Sequence, residues 1–267
     1  MNIVITGSTK GIGKALSTEF AKRGHNLVIT GRDEAEVKEA AAALEALNPK
    51  VRALPVAVDV TDFDAVQGLW DKAAAEFGRI DMWINNAGLA IMTKNVVDNT
   101  PDEITRMVRT NMLGTMFGTK VAATGMLKQS GGGRIVQILG GGSDGRIQKF
   151  QTVYSSTKRG LDLFTRAMVK ELKDTNVTVQ TVRPGILITD GFVREIKSIG
   201  PEGFTQWRKA LNIMGDHPED VAPWLVDKIL AANKSGQHIQ WLTNTKIAAR
   251  FSMAGFKKRD LFGRYGL

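Results

Sequence analysis

Short apolar runs alternate with longer stretches of helical periodicity along the whole chain. Runs near 2–6, 26–30, 51–57, 80–84, 134–139, 177–182 and 237–241 have the length of strands. Between them, apolar residues recur at helical spacing near 12–23, 33–47, 62–77, 102–129, 154–173 and 218–232. Strand–helix alternation without linker or internal repeat predicts an α/β fold. The expectation is one domain, a doubly wound parallel sheet with helices on both faces. Gly131-Gly132-Gly133 reads as the turn before the fifth strand. The stretch 187–216 reads as an irregular insertion, too long for a simple connection and therefore a functional lobe. Phe192, Ile196, Phe204, Trp207, Leu211 and Met214 would line its inner wall or pack it on the body.

Two local patterns carry chemistry. The apolar run Ile3-Val4-Ile5 passes directly into Thr6-Gly7-Ser8-Thr9-Lys10-Gly11-Ile12-Gly13, after which Ala15, Leu16, Phe20 and Ala21 repeat at helical spacing. Strand, glycine turn and helix form the context of a phosphate-binding loop. Gly7 allows the turn, Gly11 the approach of a pyrophosphate, and Gly13 the packing of helix on strand. Further on, Tyr154 and Lys158 lie four residues apart, one turn apart on a helix face. A phenol titrates near ~10, and a neighbouring ammonium lowers that value towards use as a general acid/base. Tyr-x-x-x-Lys alone is a common spacing, and its weight comes from the rest of the chain.

Together these motifs resemble the short-chain dehydrogenase/reductase family from Asn2 to about Gln240. Asn85-Asn86-Ala87-Gly88 follows an apolar run as the family's Asn-Asn-Ala-Gly does, and Asn111 matches its active-site asparagine. Asp59-Val60 matches the acidic residue near the adenine, and Pro184-Gly185 the Pro-Gly after the sixth strand. Thr189 matches the residue that bonds the nicotinamide carboxamide. The resemblance implies a Rossmann-type domain over 1–241. It also implies catalysis by Tyr154 and Lys158 with Asn111 in a water relay, a cofactor held along Gly7–Gly13, Asn86–Gly88, Tyr154 and Lys158, and a homo-oligomer. Gly31 stands where NAD-preferring relatives tend to carry an acid, and Arg32 follows. A guanidinium clamps a phosphate, Lys10 offers a second cation, and Asp33 suits the cap of the next helix better than a ribose contact. NADP(H) is the expected cofactor.

The family's serine falls about thirteen residues before the tyrosine, which here is Gly141 in Gly140-Gly141-Gly142-Ser143-Asp144-Gly145-Arg146. Either the glycines swing Ser143 into the site, or backbone and water replace the hydroxyl. Asp144 reads as a turn residue or a substrate contact. This loop, Tyr154-x-x-Thr157-Lys158-Arg159, Trp83-Ile84-Asn85 and Asn212-Ile213-Met214 resemble the chlorophyll(ide) b reductase branch, as does Trp241-Leu242-Thr243 with Lys246. That branch reduces the C7 formyl group of a chlorin to hydroxymethyl with NADPH. A large apolar carbonyl substrate is therefore expected. The alternatives are a reductase of another bulky ketone or alcohol, and a non-catalytic NADP-binding regulator.

Composition adds limits. The 267 residues suffice for one well-buried α/β domain, and zero cysteines remove disulfides and thiolate metal sites, so no metal is expected. Only Met1 and Asn2 precede the first strand, which reads as no leader peptide, and no apolar run approaches the ~20 residues that span a bilayer. A cytoplasmic protein follows as the expectation. The net charge of +9 owes much to residues 242–267, read as a separate basic-aromatic tail with Lys246, Arg250, Lys257, Lys258, Arg259 and Arg264. No nucleic-acid motif or stacking platform accompanies them, so no nucleic-acid partner is expected. The tail reads as a solvated face or subunit contact. Alternatively, Ile247, Phe251, Phe256, Leu261 and Phe262 interleaved with the cations read as a peripheral membrane segment.

Overall fold

The computed structural model describes residues 1–256 and 258–267, so the tail cation Lys257 lies outside the described residues. Nine strands and ten α-helices follow in chain order among the described residues. They are β1 Asn2–Ile5, α1 Gly11–Lys22, β2 Asn26–Gly31, α2 Glu34–Leu47, β3 Ala53–Ala57, α3 Phe63–Phe77, β4 Met82–Asn85, α4 Pro101–Val108, α5 Gly114–Leu127, β5 Gly133–Ile138 and α6 Thr152–Glu171. After them come β6 Val177–Arg183, β7 Ile186–Leu187, α7 Asp190–Ser198, α8 Gly200–Met214, β8 Gly215–Asp216, α9 Pro218–Ala231, β9 His238–Gln240 and α10 Asn244–Met253. The main sheet is seven-stranded in the order β3-β2-β1-β4-β5-β6-β9. Every pairing in it is parallel.

Side-chain alternation builds two cores from one sheet. Ile3, Ile5, Leu27, Ile29 and Ile84 face the layer of α1, α2 and α9. Val4, Val28, Trp83 and Ile135 face the layer of α3 and α5. The helices start where the sequence supplies caps: Asp33 accepts from Glu36 N at 3.0 Å and Asp62 from Ala65 N at 3.1 Å. Thr100 and Glu103 close a reciprocal capping box ahead of α4.

Three sequence expectations change. The helix expected over 102–129 is α4 and α5 joined by a π-helical turn at Arg109–Leu113. Asn111 in that turn is fully buried, and its amide is committed to the Leu89 backbone. The extra residue per turn that aims it inward is the usual form of a functional π-bulge.

The stretch 187–216 is helical rather than irregular. Thr189 caps α7 by accepting from Phe192 N at 3.2 Å, and Gly200 at φ +74° turns the chain into α8. Ile196, Phe204 and Leu211 pack into a small core of their own, whereas Trp207 stays 42 % exposed instead of lining an inner wall.

The tail folds onto this lobe. Leu261 and Phe262 are buried in the lobe core, and the Phe262 ring meets Phe204 edge-on at 4.8 Å, so neither is available to a membrane surface. Arg250 and Arg259 both bond the buried Asp216 carboxylate, at 2.9 and 2.8 Å, and Arg264 pairs with Glu219 at 2.6 Å. These cations neutralise acids of the same chain. Phe251, Met253 and Phe256 remain exposed. Among the described residues no helix is long and apolar enough to cross a membrane.

Candidate active site

The carboxyl ends of the parallel strands gather the expected residues along one edge, the usual ligand edge of an open α/β sheet. Gly7 leaves β1 at φ +65°. A Cβ on Gly13 would collide with the Gly7 carbonyl and the Asn86 amide. Asn86 Nδ2 donates to Thr6 O and Gly7 O, each at 2.9 Å, and Ala87 N donates to Thr6 Oγ1 at 3.0 Å. The loop is thus tied to the end of β4. Thr30 ties it to β2, accepting Gly7 N on its Oγ1 at 3.0 Å while its own N–H donates to Ser8 Oγ at 2.7 Å. This polar mesh of Thr6, Ser8 and Thr30 escaped the sequence reading because it exists only across strands.

A Cβ on Gly11 would meet Thr189 Cγ2 at 3.4 Å, so Thr189 stands across the glycine loop from α1. A narrow, amide-lined cradle at a helix N-terminus fits a dinucleotide pyrophosphate. At the end of β2, a Cβ on Gly31 would meet Thr9 Cγ2 at 3.0 Å and Val37 Cγ1 at 3.2 Å, which leaves little space for an acid. Arg32 is exposed and makes no hydrogen bond or ion pair among the described residues, while Asp33 is engaged as the cap of α2. Lys10 points the same way but pairs with Glu36 at 2.5 Å. Asp59 is exposed and accepts from Thr61 N at 2.9 Å. Val60 lies so close to Gly114 that a side chain there would strike it. Gly185, at φ +87°, follows Pro184 and packs against Trp241 and Leu242.

Tyr154 and Lys158 share one face of α6. Lys158 Nζ donates to Ile138 O at 3.1 Å, on the last residue of β5, and stands 5.8 Å from the Tyr154 ring centre. Burial pushes the Tyr154 phenol up to about 12 and the Lys158 ammonium down to about 8. The phenol is therefore raised where the sequence leads one to expect it lowered, because desolvation outweighs attraction in this buried pair. Asn111 Nδ2 donates to Leu89 O at 2.9 Å and Thr157 Oγ1 at 3.1 Å, and its Oδ1 accepts from Leu89 N at 2.7 Å. Gly88 lies between Asn111 and Lys158: a Cβ there would be 3.5 Å from Asn111 Oδ1 and 3.7 Å from Lys158 Nζ.

The glycine loop after β5 runs along the first turn of α6. A Cβ on Gly140 would overlap the Tyr154 hydroxyl, one on Gly141 would lie 3.0 Å from Gln151 Oε1, and one on Gly142 would strike Ser155. Ser143 is buried, and its hydroxyl has no partner and no hydrogen bond to Tyr154. Asp144 pairs with Arg183 at 2.8 Å, which accounts for it as a loop anchor. Between β5 and α6 Ile147 is 98 % exposed, and Phe150 meets Trp207 edge-on at 6.3 Å. Phe150 has φ +68°, a strained backbone for an aromatic residue. Glu195 of α7 accepts from Met92 N and from Thr93 Oγ1, latching the lobe to the segment after β4. A cavity of about 750 Å³ lies elsewhere, between α8 and α10, lined by Arg208, Lys209 and Arg250 among others. It contains none of these groups.

Comparison with known proteins agrees with this geometry. The profile of the short chain dehydrogenase family matches residues 1–198. Chlorophyll(ide) b reductase NOL of Arabidopsis thaliana is 35% identical over 97% of this chain and 76% of its own length. Probable chlorophyll(ide) b reductase NYC1 of the same plant is 34% identical over 92% of this chain. The match covers 51% of NYC1, so the chain spans about half the length of that relative. In fold, the crystal structure of levodione reductase superposes with a TM-score of 0.82 at 22% identity, over 92% of this chain and 98% of the other. The chain belongs to the short-chain dehydrogenase family.

Proposed function

We propose that the protein is an NADPH-dependent carbonyl reductase of large apolar substrates, with the formyl group of chlorophyll(ide) b as the first candidate. The observation that carries this reading is the exposed apolar side chains of the segment between β5 and α6. Glycine at 140–142 lets the backbone lie against Tyr154, Gln151 and Ser155, and the loop that follows carries the exposed Ile147 and the Phe150 ring that meets Trp207. These side chains suit a broad apolar ring that brings its carbonyl to Tyr154. The similarity to NOL and NYC1 supports the substrate assignment. Exposed Phe251, Met253 and Phe256 support a peripheral membrane contact.

The nicotinamide supplies the hydride when bound, and the chain positions and protonates. Tyr154 gives its proton to the developing alkoxide. Lys158, fixed by the Ile138 carbonyl, supplies the charge that favours the phenolate left behind. Asn111 holds Leu89 and Thr157 in place and stands beside the Lys158 ammonium, where a proton returns from solvent. Ser143 brings an unpartnered hydroxyl to the same loop.

The assay is direct: with NADPH, the absorbance of chlorophyllide b should give way to that of the hydroxymethyl pigment. Unchanged pigment beside brisk reduction of simple ketones would transfer the protein to another bulky carbonyl.

Two further results are expected. Arg32→Asp should weaken NADPH relative to NADH by about 10- to 100-fold, the value of one or two charge-assisted bonds at ~1.5–3 kcal/mol. An unchanged ratio of the two Kd values would remove Arg32 from the phosphate site. The second concerns pH. Because burial lowers Lys158 to about 8, its positive form is lost as pH rises through that value. Since kcat/KM for NADPH reports the free enzyme, it should be level below about pH 8 and fall above it. A flat profile to pH 9.5 would show that the charge on Lys158 is not required.

A further inference from the structure

The carboxamide of Gln151 has no role in the site as described, yet it is held in the place the serine has vacated. Its Oε1 is buried without a hydrogen-bond partner, and its side chain makes no hydrogen bond among the described residues. A buried amide oxygen left unpaired bears its desolvation cost uncompensated, so its persistence calls for a partner supplied from outside the chain. The neighbours specify where that partner sits. Gly140 presents its bare Cα to the Tyr154 hydroxyl, and the next residue, Gly141, presents its own to Gln151 Oε1, 3.0 Å from where a Cβ would be. Any side chain at 141 would point into this carboxamide. Gln151 is the residue that leads into α6, and Tyr154 and Lys158 follow it in the first two turns.

We propose that Gln151 is a catalytic residue, its Nε2 donating the second hydrogen bond to the substrate carbonyl oxygen beside the Tyr154 hydroxyl. This rests on the carbonyl-reductase reading. The amide carries both an acceptor and two N–H donors on one plane, and a half-turn of its last torsion exchanges them. Since no protein donor holds Oε1, that turn breaks no hydrogen bond. A carbonyl oxygen accepts two bonds: Tyr154 occupies one lone pair and transfers its proton, and Gln151 occupies the other and transfers none. A neutral donor fixed in a dry site stabilises the developing oxyanion without reorganising. The longer side chain reaches from the start of α6 what a serine would reach from the loop, so residues 140–142 can remain glycine against Tyr154, Gln151 and Ser155.

The test uses 4-dimethylaminobenzaldehyde, whose absorption moves to longer wavelength as its oxygen accepts hydrogen bonds. In the complex with NADP+ no hydride is available, so the shift reads polarisation without turnover. The full chain should produce a red shift that Gln151→Leu reduces, and with NADPH the variant should lose about 10²-fold in kcat, the loss typical of one oxyanion donor. Gln151→Glu keeps the shape. Its carboxylate cannot donate at neutral pH but its protonated form can, so its rate should recover as pH falls towards 5 while that of Gln151→Leu does not. A merely structural glutamine would show no such recovery. Wild-type shift and rate in Gln151→Leu overturn the proposal, as does a loss carried by Ser143→Ala alone, which would return the role to the displaced serine. If the unaltered protein reduces no aldehyde, the reductase reading fails instead, while the shift in the NADP+ complex still shows whether Gln151 touches the carbonyl.

Discussion

Tyr154→Phe is expected to lower kcat for aldehyde reduction by about 10³-fold, within the range for loss of a general acid. NADPH binding and Tm should be unchanged. The ring that packs against the loop is retained, and the hydroxyl it loses makes no hydrogen bond among the described residues. The proposed cofactor cradle is built from Gly7, Gly13, Asn86 and Thr30 and does not depend on that oxygen. Single-turnover oxidation of NADPH should therefore show a full binding amplitude and almost no chemistry. Residual turnover above about a tenth of wild type would exclude the phenol as the proton donor, since general acid catalysis is worth ~10²-fold or more.

Much of the fold is legible because parallel strands buried on both faces leave a near-continuous apolar signature. All seven strands of the main sheet fall within two residues of the expected ends. The exceptions share a cause. Residues 102–129 have unbroken helical periodicity, but the π-turn at Asn111 answers to a polar clamp on Leu89 that a periodicity cannot express. The lobe hides its helices because only part of each is apolar. α8 buries Phe204 and Leu211 and turns Trp207 outward, so the stripe is thin until the Phe262 side chain of the tail completes it. The tail reads as basic because Asp216, the partner of Arg250 and Arg259, lies some forty residues away in sequence.

At the site, local patterns survive and tertiary ones do not. Tyr154 and Lys158 are one turn apart on any helix, and the glycines of Thr6–Gly13 need only a preceding strand. The contacts of the second glycine loop are different. Counting residues places the missing serine at Gly141, yet Gly140 faces the Tyr154 hydroxyl and Gly141 faces Gln151. Likewise the latch of Glu195 on Met92 and Thr93 joins elements about a hundred residues apart, and nothing in either segment announces it.

Gly140→Ala isolates the consequence of that register. Gly140 is not among the glycines with positive φ, so the backbone accepts alanine without strain. The added methyl would nevertheless overlap the Tyr154 hydroxyl and crowd its ring at 3.0 Å from Cζ. Tyr154 must move by about an ångström or more, and misplacement on that scale costs about 10²-fold in rate. The expected result is a kcat reduced by about that factor, with NADPH affinity and Tm near wild type. Gly142→Ala is the contrasting change. It sits at φ +80°, and its methyl would strike Ser155, so it should destabilise the fold by about 1–2 kcal/mol. Its signature is a lowered Tm, where that of Gly140→Ala is a slow enzyme of normal stability. If Gly140→Ala turns over at the wild-type rate, the hydroxyl is not held against this loop during reaction, and the site must assemble in another geometry.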